Sequence, residues 1–323
     1  MQKVKNFILR TKTLTVAISV ILILLITSCS YFNSYFNKIN YQEQKPGVNI
    51  KTNNISNELK QNSAVLDENK DPLTNKNIVN ILLIGQDKRP GEENARSDSM
   101  IIATVNKNSK SIKLTSLMRD MYVRIPGYAN NKINSAYALG GMDLLTETVE
   151  ENFLIGIDGC IEVDFSGFEQ IIDKLGRIDI ELNRDEAYYL SNSSDIRFKE
   201  GINSLTGETA LEYARIRYIG NDDYERTERQ RNVLVAVYDK LKNSDLKILI
   251  ELTDDILPMV TTNLTKSQIL SLATNIIFMD ISDIETYRIP ADGKFALATI
   301  QDMSVLVPDL PENRMLLKEY IGY

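Results

Sequence analysis

The 323-residue sequence contains no histidine, which removes several classes of enzyme chemistry. Histidine general bases, Ser-His-Asp triads and histidine-containing metal sites are all excluded. The two cysteines, Cys29 and Cys160, are too few for a cysteine-based zinc site. Cys29 ends the apolar N-terminal run, so we expect no disulfide between them. Any metal must then be a hard cation held by carboxylate and phosphate oxygens, with Mg²⁺ or Mn²⁺ as the candidates.

Signatures of nucleotide and nucleic-acid binding are also missing. The chain matches neither the Walker pattern G-x-x-x-x-G-K-[ST] nor the dinucleotide pattern G-x-G-x-x-G. It shows no helix-turn-helix pattern, and 37 Lys+Arg against 44 Asp+Glu give a net charge of −7. We therefore expect no general affinity for nucleic acid.

The N-terminus has the pattern of a membrane anchor. Residues 1–12 contain basic residues and no acidic one, and residues 13–29 form an uncharged, mostly apolar run. This order predicts a single-pass transmembrane signal anchor that leaves residues 1–12 in the cytoplasm and the C-terminal domain outside the cell. The alternative is cleavage at a bacterial lipobox, because Ile-Thr-Ser precedes Cys29, which would then carry the lipid. Both outcomes attach the chain to the cell membrane.

The remaining chain divides into a tether and one folded domain. Residues 30–77 are rich in Asn, Lys and Gln and lack a sustained apolar period, which is typical of a flexible extracellular linker. Residues 78–323 alternate apolar runs with helical periods, and the first run, 78–85, is typical of a strand buried on both faces. This pattern predicts an α/β domain with a central, mostly buried, mixed β-sheet flanked by helices.

Several elements can be assigned within the domain. Residues 100–106 and 111–117 read as two strands of a hairpin, and 131–153 as a helix broken by a Gly-Gly pair. The polar segment 184–201 predicts a loop with a helical turn, and the apolar period over 246–260 predicts a helix.

The most unusual stretch of this acidic chain is 210–233, which contains five arginines: Arg215, Arg217, Arg226, Arg229 and Arg231. Arginine suits phosphate because its planar fork donates two parallel hydrogen bonds and stays charged. Arg215 and Arg217 share a face if the chain there is extended. Arg226 and Gln230 share a face near a helix N-terminus, which favours an anion. The stretch predicts a diphosphate site; the alternative is a solvated helix face with pairs such as Glu225–Arg229.

Acidic residues elsewhere complement this stretch. Asp87 follows a predicted strand, Asp98 precedes the next one, and Arg119-Asp120 follow the third. These loop ends lie where α/β proteins place their sites, and two carboxylates with phosphate oxygens suit Mg²⁺. For each aspartate the alternative is a surface ion pair or a loop cap, and Asp87 taken alone fits the cap better.

Six motifs occur in a fixed order: ILLIGQD, ARSDSM, SLMRDMYV, KINSAYALGG, VDFSGF and ALEYARIRYIGNDDYERTERQR. With an N-terminal anchor before them, they resemble the LytR-CpsA-Psr proteins of Gram-positive bacteria over residues 78–241. The resemblance implies an extracellular catalytic domain with an apolar tunnel for a polyprenyl chain. It also implies transfer of a glycopolymer, such as teichoic acid or capsular polysaccharide, from a polyprenyl-diphosphate carrier to peptidoglycan, with formation of a phosphodiester.

The resemblance also implies roles for single residues. The diphosphate-binding set comprises Arg96, Arg119, Arg215, Arg217, Arg226 and Gln230. The implied Mg²⁺ or Mn²⁺ ligands are Asp98 and Asp87, and the implied catalytic residues are Arg119, Asp120, Arg217 and Arg226. Asp223 occupies the acid position of the motif, whereas Arg229 and Arg231 fit the helix face better. Two other activities stay open: hydrolysis of a polyprenyl diphosphate at the same site, and binding of a glycopolymer without catalysis.

Overall fold

The structure is a computed structural model that describes residues 37–42, 72, 74–86, 97–220, 223–244, 255–279, 281 and 284–323. The predicted anchor and most of the predicted linker lie outside these residues, as do Asp87 and Arg96. Within them, no helix combines the length and apolar character needed to cross a membrane.

Helices and strands alternate along most of the domain. The strands are β1 (Asn40–Tyr41), β2 (Ile78–Gln86), β3 (Ser97–Asn106), β4 (Ser111–Leu117), β5 (Tyr122–Val123), β6 (Asn131–Lys132), β7 (Gly159–Asp164), β8 (Ile178–Leu182), β9 (Gly201–Leu205), β10 (Val260–Thr262), β11 (Ile284–Ile289), β12 (Phe295–Ile300) and β13 (Met303–Pro308). The helices are α1 (Asn134–Phe153), α2 (Phe165–Lys174), α3 (Arg184–Ser193), α4 (Gly207–Arg215), α5 (Asp223–Lys242), α6 (Lys266–Phe278) and α7 (Leu310–Ile321).

The central sheet is mixed, as the sequence predicts. Its strand order is β1-β10-β7-β2-β3-β4-β11, with β2–β7 and β4–β11 parallel and β2–β3 and β3–β4 antiparallel. The predicted hairpin of β3 and β4 is therefore confirmed. The predicted break in α1 is confirmed too, because Gly140 and Gly141 are non-helical and Gly141 has φ +65°.

Helices cover both faces of the sheet. On one face Leu82, Ile84, Met100 and Ile102 pack in a core with α1 and α7. On the opposite face, residues of β3 and β4 form a smaller core against α5 and α6. Because side chains alternate along a strand, neighbouring residues such as Ile101 and Ile102 serve opposite cores.

The strand directions bring several chain segments to one edge of the sheet. The parallel strands β2 and β7 both end at this edge, β3 begins there, and β4 and β11 end there. This arrangement brings residues that are distant in the sequence close together, and they form the candidate active site described below.

Part of the predicted linker belongs to the folded domain. Asn40 and Tyr41 pair in parallel with Thr261 and Thr262 and so form an edge strand of the central sheet. A two-residue strand has too few residues to show an apolar period, so the composition of 30–77 does not reveal it.

Two other local predictions are wrong. The segment 184–201, predicted as a loop with a helical turn, contains the ten-residue helix α3, whose capping box joins Asn183 and Glu186. The predicted helix over 246–260 does not extend to its end, because the chain turns through Leu257–Met259 into strand β10. Residues 245–254 lie outside the described residues.

Candidate active site

Arg119 lies at the centre of a group of charged side chains on this sheet edge. Its NH1 is 3.0 Å from Asp98 Oδ1, its Nε is 3.1 Å from Asp223 Oδ2, and Asp120 Oδ2 is 3.8 Å from Nε. Asp98 comes from the start of β3, Asp223 begins α5, and Arg119 and Asp120 follow β4. Burial lowers the pKa of Arg119, but the three carboxylates outweigh it and raise the pKa above its ordinary value.

Asp223 is a shared partner of three arginines. Besides Arg119 it lies 3.3 Å from Arg226 NH2 and 4.0 Å from Arg217 Nε. Arg226 is 3% exposed, and its Nε is buried without a hydrogen-bond partner. Burial, opposed by Asp223 and reinforced by Arg119 and Arg217, lowers the pKa of Arg226 to about 10, so the side chain is still charged at neutral pH.

Lys132 belongs to the same group, although the sequence reasoning did not single it out. Its Nζ is 2.7 Å from Asp120 Oδ1, and its backbone pairs with Tyr122 between β6 and β5. The signal was available, because Lys132 begins the motif KINSAYALGG.

We call the whole group the arginine site; its members are Asp98, Arg119, Asp120, Lys132, Arg217, Asp223 and Arg226. Four cations and three carboxylates give it a net charge of +1 within a chain of −7. Arg217 is the member of the site most exposed to water, with 41% of its side chain exposed. The site is therefore cationic, reachable from solvent and placed at the N-terminus of α5, which together favour an anion.

Two residues of the predicted diphosphate-binding set, Arg215 and Gln230, are not members of the arginine site. Arg215 ends α4 rather than lying in an extended segment, so the condition under which it would share a face with Arg217 is not met. Arg215 is exposed, and its guanidinium lies over the ring of Phe165 at 4.9 Å from the centroid. Gln230 lies half-buried one helical turn after Arg226. Asp87 and Arg96 fall outside the described residues.

Arg229 and Arg231 fix α5 to the rest of the domain. Arg229 Nε is 2.7 Å from Glu186 Oε1 and its NH2 is 2.8 Å from Glu225 Oε2, which confirms the predicted Glu225–Arg229 pair. Arg231 NH1 donates to Ser116 Oγ at 2.8 Å, and burial lowers its pKa to about 10. The expectation of a solvated face is wrong, because Arg229 is 2% and Arg231 6% exposed.

Replacing Arg229 by methionine is expected to lower the free energy of unfolding by about 3 kcal/mol, because it leaves the buried carboxylate of Glu186 without its cation. Urea unfolding of the full chain in detergent, followed by circular dichroism, measures the change. The double variant R229M/E186Q is the control and should recover most of the loss, since neither charge remains and glutamine keeps an acceptor for Asn183 N–H. A loss below about 0.5 kcal/mol in R229M would contradict this structural role.

The carboxylates of the arginine site suit a hard cation only in part. In the described part of the chain, no group of three or more His, Cys, Asp or Glu side chains could hold a metal ion. Mg²⁺ is commonly held by one or two protein carboxylates together with substrate phosphate oxygens. Asp98 meets that requirement, although its Oδ1 also accepts from Arg119 NH1.

An apolar layer adjoins the arginine site along α5. The layer consists of partly buried side chains between the sheet and the helices α5 and α6: Val79, Leu83, Ala103, Leu234, Val235, Tyr238 and Ile276. Arg226 and Leu234 are two turns apart on α5, or about 12 Å at 1.5 Å per residue. The helix thus links a cationic end to an apolar surface that its neighbours leave partly open.

Comparison with known proteins gives consistent results. A sequence model described as the LytR_cpsA_psr family matches residues 38–319. Regulatory protein MsrR of Staphylococcus aureus (strain COL) is 31% identical over 252 residues, 77% of this chain and 76% of MsrR. The polyisoprenyl-teichoic acid–peptidoglycan teichoic acid transferase TagU of Bacillus cereus is 38% identical over 218 residues, 67% of this chain and 69% of TagU.

Solved structures show the same fold. The structure of the LytR-CPS2A-psr family protein YwtF (TagT) with bound octaprenyl pyrophosphate lipid superposes with a TM-score of 0.61 at 25% identity, and the match covers 81% of this chain and 100% of that one. The range matched by the family model includes every member of the arginine site.

Proposed function

Because the chain belongs to the LytR-CpsA-Psr family, we propose that it transfers a glycopolymer from a polyprenyl-diphosphate carrier to peptidoglycan, forming a phosphodiester. The observation that carries the proposal is the arginine site itself. Arg119, Arg217 and Arg226 converge on one carboxylate, Asp223, at the N-terminus of α5. A diphosphate carries more negative charge than this carboxylate and can engage the same guanidinium groups bidentately.

The reaction follows from the bonds that must change. A hydroxyl oxygen of a peptidoglycan sugar attacks the phosphorus that bears the glycopolymer, and a new O–P bond forms. The bond from that phosphorus to the bridging oxygen of the diphosphate breaks, and polyprenyl monophosphate leaves with the electron pair. The arginines and Lys132 stabilise the charge that develops on the phosphate oxygens, which is the main contribution of a protein to phosphoryl transfer.

The hydroxyl proton needs an acceptor within the site. Asp98 and Asp120 are the candidates, and both are held in place by cations: Asp98 by Arg119 at 3.0 Å and Asp120 by Lys132 at 2.7 Å. Asp98, with Asp87, would hold Mg²⁺ or Mn²⁺ against the phosphate oxygens. When bound, the ion supplies positive charge to the diphosphate in addition to that of the arginines.

The apolar layer gives the polyprenyl chain a place next to its headgroup. Leu234 and Tyr238 face the sheet on the helix that carries Arg226, and they are only partly buried. A lipid chain laid against this surface would bury them, with a gain of roughly 25 cal/mol per Å² of apolar area removed from water. The similar YwtF (TagT) structure contains a bound octaprenyl pyrophosphate lipid, which supports a polyprenyl diphosphate as the ligand of this chain.

A membrane-bound carrier also accounts for the N-terminal pattern. Family members take part in cell-wall assembly, where the carrier lipid lies in the membrane and peptidoglycan lies outside it. We propose that residues 13–29 anchor the chain in the cell membrane as a single-pass helix or, after cleavage, through lipid on Cys29. The domain then lies on the extracellular side, next to both substrates.

One experiment tests the transfer directly. The full chain in detergent is incubated with a polyprenyl-diphosphate-linked glycopolymer labelled in the sugar, purified peptidoglycan and Mg²⁺ or Mn²⁺. Label should become attached to insoluble peptidoglycan, and a chelator should suppress this attachment. Release of label into solution without attachment would instead indicate a hydrolase. Tight binding without turnover, with or without metal, would indicate a binding protein.

A further inference from the structure

A polar cavity lies beside the arginine site and has no role in the function proposed above. Its volume is about 210 Å³, and it lies between the end of β7, the start of α2, the edge strand β1 and its neighbour β10. The residues that line it include Glu162, Asp164, Gln86, Gln170, Ser166 and Asn40. This space exceeds what one or two water molecules need, since a water occupies about 30 Å³ in the liquid.

The cavity opens at the same edge of the sheet as the arginine site. Asp164 pairs with Gln86, and Gln86 pairs with Ser97, the residue before Asp98. Two strand spacings therefore separate the two positions, or about 10 Å. Glu162 pairs with Ile84, which belongs to the core that packs against α1, so Glu162 lies on that face of the sheet.

A fixed carboxylate forms the inner wall of the cavity. Glu162 is 8% exposed, and its Oε2 accepts from the hydroxyl of Tyr137 at 2.7 Å. Its Oε1 accepts from Gln86 Nε2. These contacts hold the carboxylate in one orientation, and a carboxylate oxygen can accept more than one hydrogen bond.

The charge of the cavity differs from that of its neighbour. Two carboxylates line it, and no lining residue in the described part of the chain is basic. A phosphate would be repelled, and two carboxylates are fewer than the three groups that a protein-only metal site here would need. A neutral ligand rich in hydroxyl and amide groups fits better, since hydroxyls donate to carboxylates and amide side chains both donate and accept.

We propose that this cavity binds a single uncharged pyranose residue of the glycan during transfer. The proposal rests on the proposed function and specifies where a sugar lies relative to the diphosphate. Glu162 and Asp164 accept hydrogen bonds from sugar hydroxyls, while Gln86 and Asn40 provide amide groups. Pro258 and Met259 contribute an apolar wall for the C–H face of the ring. The sugar belongs either to the donor, next to its diphosphate, or to the peptidoglycan acceptor.

The test uses full-length chain in detergent micelles and three probes. These are polyprenyl diphosphate without sugar, polyprenyl diphosphate carrying N-acetylglucosamine, and peptidoglycan as acceptor. The variant Glu162→Gln removes the charge of the inner wall but keeps an acceptor oxygen for Tyr137. Gln170→Trp places a large ring at the mouth of the cavity. Gln170 is exposed there, and its side chain donates to Ser166 within α2. Lys174→Ala is the control on the same helix, since Lys174 pairs with Asp255 outside the cavity.

Each cavity variant is expected to raise about tenfold either the Kd for the sugar-bearing lipid or the KM for peptidoglycan. A donor sugar would show as a raised Kd for the sugar-bearing lipid, and an acceptor sugar as a raised KM for peptidoglycan. The Kd for the lipid without sugar and the thermal midpoint should match those of Lys174→Ala. Unchanged values in both arms, or an equal loss with the sugar-free lipid, would overturn the proposal. Wild-type protein that fails to bind the sugar-free lipid would instead count against the proposed function.

Discussion

Replacing Arg217 by alanine is expected to lower the rate of glycopolymer transfer about a thousandfold while the fold stays intact. The guanidinium of Arg217 is 41% exposed and lies at the limit of ion-pair distance from Asp223, at 4.0 Å, so little stability depends on it. Its charge nevertheless faces the place where phosphate charge must be stabilised, and single groups of this kind contribute about 10²- to 10³-fold or more. Transfer of labelled glycopolymer to peptidoglycan measures the rate, and thermal unfolding checks the fold.

Two further variants serve as comparisons for Arg217→Ala, one inside the arginine site and one outside it. Arg226→Ala should lower the rate of transfer to a similar extent. It should also lower the stability, because Arg226 is buried and paired with Asp223. Arg197→Ala removes an exposed arginine outside the arginine site and should transfer at the wild-type rate. If Arg217→Ala and Arg226→Ala both kept full activity, the assignment of the diphosphate to this site would be wrong.

Replacing Asp223 by asparagine is expected to destabilise the free protein and to slow transfer about a hundredfold. Without the carboxylate, Arg119 and Arg226 lose a partner at 3.1 and 3.3 Å, and buried Arg226 is left with uncompensated charge. We expect the thermal midpoint to fall by about 5 °C, since 1 kcal/mol shifts it by roughly 2–4 °C in a domain of this size. The rate falls because the arginines are no longer held in position, and a displacement of about 1 Å can cost 10²-fold.

The ligand dependence of this variant separates two explanations. If the arginines are held for a diphosphate, polyprenyl diphosphate should raise the midpoint of Asp223→Asn more than that of wild type, because the ligand replaces the missing anion. Asp255→Asn, which removes the partner of Lys174 at the surface, is the control and should change the midpoint by less than about 2 °C. An unchanged midpoint and rate in Asp223→Asn would contradict the role of Asp223 as shared partner.

Most of the arginine site could be predicted from the sequence, because the relevant residues adjoin recognisable elements. Asp98 precedes β3, Arg119 and Asp120 follow β4, and Arg226 lies in the first turn of α5. Strands that end at a common edge bring such residues together, so the positions follow once the hairpin is recognised. The arginine-rich stretch 210–233 contains two members of the site, Arg217 and Arg226.

The remaining features depend on contacts between distant segments. Lys132 ends the two-residue strand β6 and begins a recognisable motif, and its ion pair with Asp120 shows which residues it joins. Arg229 looks like a solvated helix residue, yet it lies against Glu186 from another helix, 43 positions earlier. A helical period indicates which residues share a face, but it does not indicate what packs against that face.

If residues 13–29 anchor the chain as proposed, the pairing of β1 with β10 would limit how far the domain can move from the membrane. About eleven residues separate Cys29, where the proposed anchor ends, from Asn40, which is hydrogen-bonded into the sheet. A fully extended chain of that length spans at most about 40 Å. A linker that ran from Cys29 to Ile78 without joining the sheet would reach more than four times as far. With the proposed anchor, this short connection would keep the domain near the lipid headgroups. The domain would then sample a thin layer above the bilayer in which its carrier lipid diffuses, and glycan strands farther out would have to come to it.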